Sequence, residues 1–484
     1  MRRSASVSGA LAWIVLLPSL LLSQSVMQPI LTNGPTARRI NIVYLSEGYT
    51  AAQLPRFLSD ASKTLDAFFN TSPFHIYRPA FNAYAISVAS ADSGSDHPSR
   101  GEYHRTFFNS TYDTYGITRL VTLDNVGTKR VDSLLALHMP EYDIAIVIVN
   151  DPEYGGSGGF PAVSSVHSAS SEVVIHELGH SFAGLGDEYW DPYPGYPDIE
   201  EPNTTRETAR AKIKWRDWID PSTPVPTPNV SQYQMLVGLF EGAHYHATGW
   251  YRPMFSCKMR VLGAEFCPVC AETIVKSIYS LIRIVEWMDP GPEPVALSGG
   301  DTRLFRVTAL DRSLRSLRYQ WYMDGVEQSG ETFDSIRVSA AGLSAGAHRL
   351  HVIVRDETPL VRTDPIWLLR DSISWSLAVT PATGVERENG TPFVFALSQN
   401  YPNPFNPSTT IRFSLKEESA VRLEVYTAFG QRVRFLNLGR RQAGDGSIVL
   451  NMSQFGSGTY FYRIEAAGAS GSRYAAVKAM TFIK

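Results

Sequence analysis

Cysteine is scarce in this chain, with 3 among 484 residues, all between Cys257 and Cys270. Three thiols are one short of an all-cysteine structural zinc site. In an oxidising compartment they predict one disulfide and one leftover thiol, with the pairing open between Cys257, Cys267 and Cys270. No thioredoxin-like context surrounds Cys267-Pro268-Val269-Cys270, so a redox role is weakly supported. An excess of charge is also missing. Lys+Arg of 44 against Asp+Glu of 47 leaves a net charge of -3, without the basic footprint of a nucleic-acid binder. After the N-terminus no apolar run approaches the ~20 residues a membrane span needs, which predicts a soluble mature protein. No Lys-Ser/Thr follows the glycine run Tyr154–Gly159, so phosphate-loop chemistry is set aside. That run also spells G-x-S-x-G over Gly155–Gly159, but so glycine-dense a stretch is not the strand-to-helix turn of a nucleophile elbow.

What is present is folded material: hydrophobic residues are 44% and charged residues 19% of the chain. That length exceeds one hydrophobic core, so about two to four domains are expected. Arg2 and Arg3, the apolar stretch Leu11 to Leu22 and the small residues Ser23-Gln24-Ser25 read as a secretory signal over 1–25. No cysteine follows it for lipid attachment. Residues 26–290 read as one mixed α/β unit, with strands at Ile40–Leu45, Phe81–Val88 and Asp143–Asn150 and a helix near Ala51–Asn70. The third strand is apolar on both faces, which predicts an interior position. Pro290–Pro294 marks a stiff boundary. Residues 291–382 show short alternating segments at Leu304–Val307, Arg318–Met323, Ser335–Val338 and His348–Val354. They predict an immunoglobulin-like β-sandwich with Trp321 in its core. A linker at 383–394 leads to a second all-β unit, 395–484.

The segment with chemistry is His176-Glu177-Leu178-Gly179-His180, an H-E-x-x-H pattern. On a helix, histidines four residues apart project from one face and can share one metal ion. Glu177 stands beside them, suited to taking a proton from water rather than to ligating. Val173, Val174 and Ile175 lead in, and Phe182 and Leu185 continue the buried side. Incidental histidines on a core helix are the bland alternative.

Extended to His176-Glu-Leu-Gly-His-Ser-Phe-Ala-Gly-Leu-Gly-Asp-Glu-Tyr189, the segment resembles the IgA-peptidase-type zinc metallopeptidases. Further resemblance lies in Asn33-Gly34-Pro35, Arg39–Val43, Glu47-Gly48-Tyr49-Thr50 and Ser93–Pro98. The glycine run, Glu201-Pro202-Asn203, Tyr251-Arg252-Pro253 and Cys257-Lys258-Met259-Arg260 also fit. The resemblance implies a metzincin-like zincin fold of α/β (α+β) class, one catalytic Zn2+ and peptide-bond hydrolysis. Residues Ser398–Ser408, Val425–Gln431, Gly456–Tyr462 and Lys478–Lys484 resemble the C-terminal sorting domain of type IX secretion. That resemblance implies passage through the periplasm, the type IX machinery as partner, and a final location in the medium or at the cell surface.

A catalytic zinc takes three protein ligands and leaves a position for water. The third metzincin ligand would fall on Gly186, which has no side chain, but the helix-ending glycine is one residue late here, at Gly184. The expected ligand is therefore Asp187, with Glu188 the alternative, or a partner orienting a ligand histidine. Glycines at 184 and 186 allow the left-handed backbone that swings a carboxylate back. Met259, or else Met254, is the candidate Met-turn, against ordinary core filling. Tyr251 or Tyr245 is the candidate oxyanion donor. His244 and His246 alternate as on a strand, to ligate a second metal or line a cleft. The resemblance places Asp96 and His97 in a loop that reaches the cleft, with a solvated polar turn as the plain alternative. Gly155–Gly159 is the candidate rim for an extended peptide, against an ordinary flexible loop. The expected function is a secreted zinc endopeptidase acting on protein or peptide substrates. The alternatives are a non-catalytic adhesion or glycan-binding protein on the same fold, and a zinc amidase acting on cell-wall amides.

Overall fold

The computed structural model describes residues 25–310, 316–380, 395–428, 430–468 and 471–484. The signal segment (save Ser25) and the linker 383–394 lie outside the described residues. The chain forms two compact units that part after Pro381.

The first unit begins with a six-stranded mixed sheet. Its strands are β1 (Val26–Leu31), β2 (Ile40–Glu47), β3 (Phe81–Ser87), β4 (Ile144–Val149), β5 (Gly156–Ser157) and β6 (Ala162–Ser165), in the order β1-β3-β2-β4-β6-β5. Strands β3, β2, β4 and β6 run parallel, with β1 and β5 antiparallel at the edges. Both faces are covered, and that explains why β2 and β4 are buried along their whole length. Ile42, Tyr44, Ile146 and Ile148 face helices α1 (Leu54–Phe69), α3 (Ser170–Ala183) and α4 (Pro268–Leu281). Val43, Leu45, Val147 and Val149 face α2 (Asn125–His138). Each such side chain, moved from water, contributes about 1.5–3 kcal/mol. A one-residue slip of β4 would exchange the two faces, but with apolar residues on both it is the register with β2 and β6 that fixes it. The consequence for function is that β6 delivers the chain directly into α3, where the Ser165 and Ser170 hydroxyls pair at 2.8 Å.

The sandwich that follows starts earlier than the sequence suggests. Residues Val285–Asp289 (β9, after the hairpin of β7, Phe240–Ala243, and β8, His246–Arg252) already pair with Thr302–Ala309. Pro290–Pro294 is thus a loop inside the sandwich rather than a boundary before it, because proline only bars its own residue from the ladder. One sheet has three strands and the other five. Trp321 and Trp375 stack between them with centroids 5.7 Å apart. The sandwich is fastened to the α/β layer by Asp356, whose Oδ2 accepts hydrogen bonds from Tyr77 (3.0 Å) and Tyr279 (2.7 Å).

The second unit is all-β, with sheets of three and four strands around Phe405, Phe413, Leu423, Tyr462 and Met480. Asn400 holds its entry turn, donating from Nδ2 to the Pro402 carbonyl (3.0 Å) and Thr409 Oγ1 (3.0 Å). No helix among the described residues is long and apolar enough to cross a membrane.

Candidate metal centre

Helix α3 buries Val173, Val174, Ile175 and Leu178 in the core and leaves His176, Glu177 and His180 to the other side. Gly184 ends it with a left-handed φ of 62°, where a side chain would be strained. The chain then turns back, so that the Leu185 carbonyl meets His180 Nδ1 at 2.6 Å. His176 Nδ1 meets the Lys258 carbonyl at 2.9 Å. A carbonyl only accepts, so both Nδ1 atoms carry the hydrogen and each neutral ring offers a lone pair at Nε2. The two Nε2 atoms stand 3.2 Å apart. Asp187 Oδ1 lies 3.2 Å from one and 3.3 Å from the other, and apart from the two imidazoles no hydrogen-bond donor among the described residues reaches this buried oxygen.

Three acceptor atoms on a nearly equilateral triangle repel one another unless a cation or a proton joins them. Zinc at its usual distances of about 2.0–2.2 Å from N and O would set tetrahedral edges of about 3.3–3.5 Å. The observed triangle fits that ion. Burial opposes charge on His180, yet Asp187, with help from the Leu185 carbonyl and Glu177, raises the imidazole to about 9. Burial likewise opposes ionisation of Asp187, but the contacts with His176 and His180 prevail and hold the carboxyl below the usual carboxylate range. A proton on His180 thus serves the same pairing as a metal.

Glu177 is half-buried and lies under the glycine run. A Cβ added to Gly158 would come within 1.8 Å of Glu177 Oε2, so the run's backbone is packed directly on the carboxylate. Gly179 is required from below, where a Cβ would meet Met259 Sδ at 2.5 Å. Met259, fully buried, therefore floors the helix between the two histidines. Met254 is only half-buried.

The hydroxyl that reaches the triangle is that of Tyr245, donating to Asp187 Oδ2 at 2.6 Å. Tyr251, named first from the sequence, instead pairs by backbone with Thr205 and is joined to the triangle by no contact among the described residues. His244 and Tyr245 form the turn between β7 and β8 with φ of 53° and 57°. A two-residue hairpin turn calls for such angles, but tyrosine does not favour them, and the turn persists because its side chains are fastened. Both nitrogens of His244 are engaged, Nδ1 with Glu201 Oε2 at 3.0 Å and Nε2 with the Pro197 carbonyl at 2.7 Å. This leaves no lone pair for a second metal, and the strand-like alternation with His246 does not hold.

Other expectations are corrected in the same region. Gly186 has no left-handed φ; it is small because Glu201 packs on it, 2.5 Å from an added Cβ. Glu188 neither joins the triangle nor orients a histidine. It is buried with three cysteines that are all free thiols, so the expected disulfide is not formed. Asp96 serves its own loop, accepting from the His104 amide (2.6 Å), whereas His97 ties that loop to the segment after β4 through Asp151 (3.0 Å).

No curated protein matches the chain. Solved structures similar to parts of it include dimeric latent PorU from Porphyromonas gingivalis, at 16% identity and TM-score 0.20, covering 41% of this chain and 20% of that one. SGBP-B of the Bacteroides ovatus mixed-linkage glucan utilization locus, in complex with a mixed-linkage heptasaccharide, matches at 17% identity and TM-score 0.14, over 39% and 42% of the two chains. Beta-glucuronidase 3 of Bacteroides uniformis matches at 11% and 0.19, over 73% and 46%. The chain thus spans under half the length of each, and TM-scores this low carry no argument about fold. Residues 399–478 match the secretion-system C-terminal sorting domain, so the chain carries the sorting signal of that export route. The match that covers the triangle, the glycine run and Met259 together extends over 28–235 and 229–278, more than half of the chain, and by it the protein belongs to the IgA Peptidase M64 family.

Proposed function

We propose that this protein is an exported, zinc-dependent endopeptidase in which His176, His180 and Asp187 hold the ion and Glu177 is the general base. The observation that carries the reading is the donor triangle, with edges of 3.2, 3.2 and 3.3 Å, beside a carboxylate that takes no part in it. We read the α/β layer as a metzincin-like zincin with Met259 as its Met-turn, and the sandwich as immunoglobulin-like. The sorting domain supports export by the type IX machinery.

Bound zinc supplies Lewis acidity, which polarises a scissile carbonyl and brings water to a pKa of about 7. The chain's own residues do the remainder. The Lys258 and Leu185 carbonyls fix both imidazole tautomers, and Tyr245 holds Asp187 Oδ2 so that Oδ1 stays aimed at the histidines. Glu177 accepts the proton of the attacking water as the C–O bond forms, then passes it to the leaving nitrogen as the C–N bond breaks. Edge strand β5 and the glycines after it offer backbone groups along which an extended peptide can lie.

The test is metal analysis of the purified chain with hydrolysis of a peptide library, with and without a chelator, beside a peptidoglycan digest. Chelator-sensitive peptide cleavage is expected. Bound metal with no cleavage of any peptide would favour a binding protein, and activity on peptidoglycan alone a cell-wall amidase.

Metal affinity should also depend on pH. Because the folded, metal-free protein holds a proton on His180 up to about pH 9, metal must displace it below that value. Apparent affinity is expected to rise about tenfold per pH unit from near 6.5 towards 9 and then to level off. Stability of the metal-free protein has the opposite sign: a raised pKa contributes most below the unfolded value of about 6.5, and this is lost as pH passes about 9. Competition with a chromophoric chelator, corrected for its own protonation, measures the first. A flat profile would remove the His180 proton from the account.

A further inference from the structure

We propose that Glu188, Cys257, Cys267 and Cys270 form a second, structural site for a thiophilic divalent cation, zinc being the ion that suits three sulfurs and one oxygen. Their ligand atoms all lie within 4.8 Å of one another, and all four residues are buried. Cys257 Sγ and Cys270 Sγ are 3.6 Å apart, and Cys270 Sγ is 3.7 Å from Glu188 Oε1. A tetrahedral zinc with Zn–S of about 2.3 Å and Zn–O of about 2.0–2.2 Å has S–S edges of about 3.8 Å and S–O edges of about 3.5 Å. The Cys257–Cys270 and Cys270–Glu188 contacts have those lengths, and the remaining separations stay within 4.8 Å.

Two further observations point to a ligand. Glu188 Oε2 is buried with no hydrogen-bond partner, while Oε1 has only the Asn203 amide at 3.0 Å and the Cys270 thiol. Carboxylates this deep are ordinarily paired or bound to metal. Burial pushes the Cys257 and Cys270 thiols up, but local groups favour negative charge on two of the sulfurs. The Cys267 amide donates to Cys257 Sγ at 3.3 Å, and Cys267 caps the N-terminus of α4, where the helix dipole favours a thiolate. Cys267-x-x-Cys270 has the spacing of a zinc-binding pair. The buried guanidinium of Arg252 and that of Arg260 interact with the Glu188 charge and balance the excess anion.

The placement gives the site a purpose. Glu188 directly follows Asp187, and its amide donates to the Met259 carbonyl at 2.9 Å. A cation here would clamp the segment bearing the third candidate ligand to the loop that carries Met259 and the His176 acceptor, and both to α4. The site is independent of the His176–His180–Asp187 triangle and stands whether or not that triangle is catalytic.

The experiment is metal counting on the full chain purified without added reductant. About two zinc ions per chain are expected, and an organomercurial that titrates thiols should release about one of them from the wild type. A His176→Ala/His180→Ala variant should keep the mercurial-releasable ion and, loaded with Co2+ alone, show thiolate-to-cobalt charge-transfer absorption. Cys267→Ser/Cys270→Ser should lose that ion. A Cys257–Cys270 disulfide found by non-reducing mass spectrometry would overturn the proposal, as would mercurial titration of the wild type that frees no metal. The mercurial experiment requires no variant to fold.

Discussion

Glu177→Gln is expected to lower turnover on a cleaved peptide by about 10²–10⁴-fold, the usual contribution of a general acid–base group, with metal content unchanged. The amide keeps the size of the side chain but cannot accept the proton. Because Glu177 is outside the donor triangle, its loss should appear in kcat rather than in metal affinity. Gly158→Ala tests the same group through its roof. The added Cβ would stand 1.8 Å from Glu177 Oε2, and the end of a flexible side chain yields before backbone does. The carboxylate moves, the fold pays little, and a misplacement near 1 Å costs roughly 10²-fold. Expected together are an unaltered melting midpoint, retained metal and slow turnover. Full activity in Glu177→Gln would remove the residue from the mechanism. Full activity in Gly158→Ala alone would show that the carboxylate's position is not critical.

Much of the fold follows from local pattern. Interior strands such as Ile144–Val149 announce themselves by apolar residues on both faces, and α1 by helical spacing. In the site, the two histidines and Glu177 follow from one motif, and the shifted glycine at 184 was enough to point to Asp187. The rest depends on what tertiary structure brings together. Tyr245 reaches Asp187 because His244 and Tyr245 accept left-handed angles, and no propensity assigns such an angle to a tyrosine. Gly158 matters because of what lies beneath it, 19 residues on at Glu177. The three cysteines read as one short of a metal site because the fourth member, Glu188, lies far off in sequence and of another residue type. The sandwich's first strand was missed because a proline-rich stretch separates it from the others, although such a stretch ends a strand without ending a domain.

Asp187→Ala should weaken metal binding at the His176–His180 site by about 10²–10³-fold or more, and abolish hydrolysis at ordinary zinc concentrations. Structural zinc sites bind with about 10–16 kcal/mol shared over four ligands, which is about 3 kcal/mol or more for each. Asp187 is also the anion of the trio, so its removal leaves two neutral imidazoles to hold a dication. Tyr245→Phe separates ligation from orientation. It frees Asp187 Oδ2 from its 2.6 Å bond but leaves Oδ1 in place, so a loss of about 10–100-fold, typical of a group behind a ligand, is expected. Glu188→Gln provides the contrast, since its oxygens face the thiols and should leave the histidine site loaded. Chelator competition on the three variants, counting only the ion that an organomercurial does not release, ranks them. Asp187→Ala weaker than Tyr245→Phe, with Glu188→Gln losing less than Asp187→Ala, is required if the triangle is the metal centre. Equal affinity in Asp187→Ala and wild type would put the third ligand elsewhere.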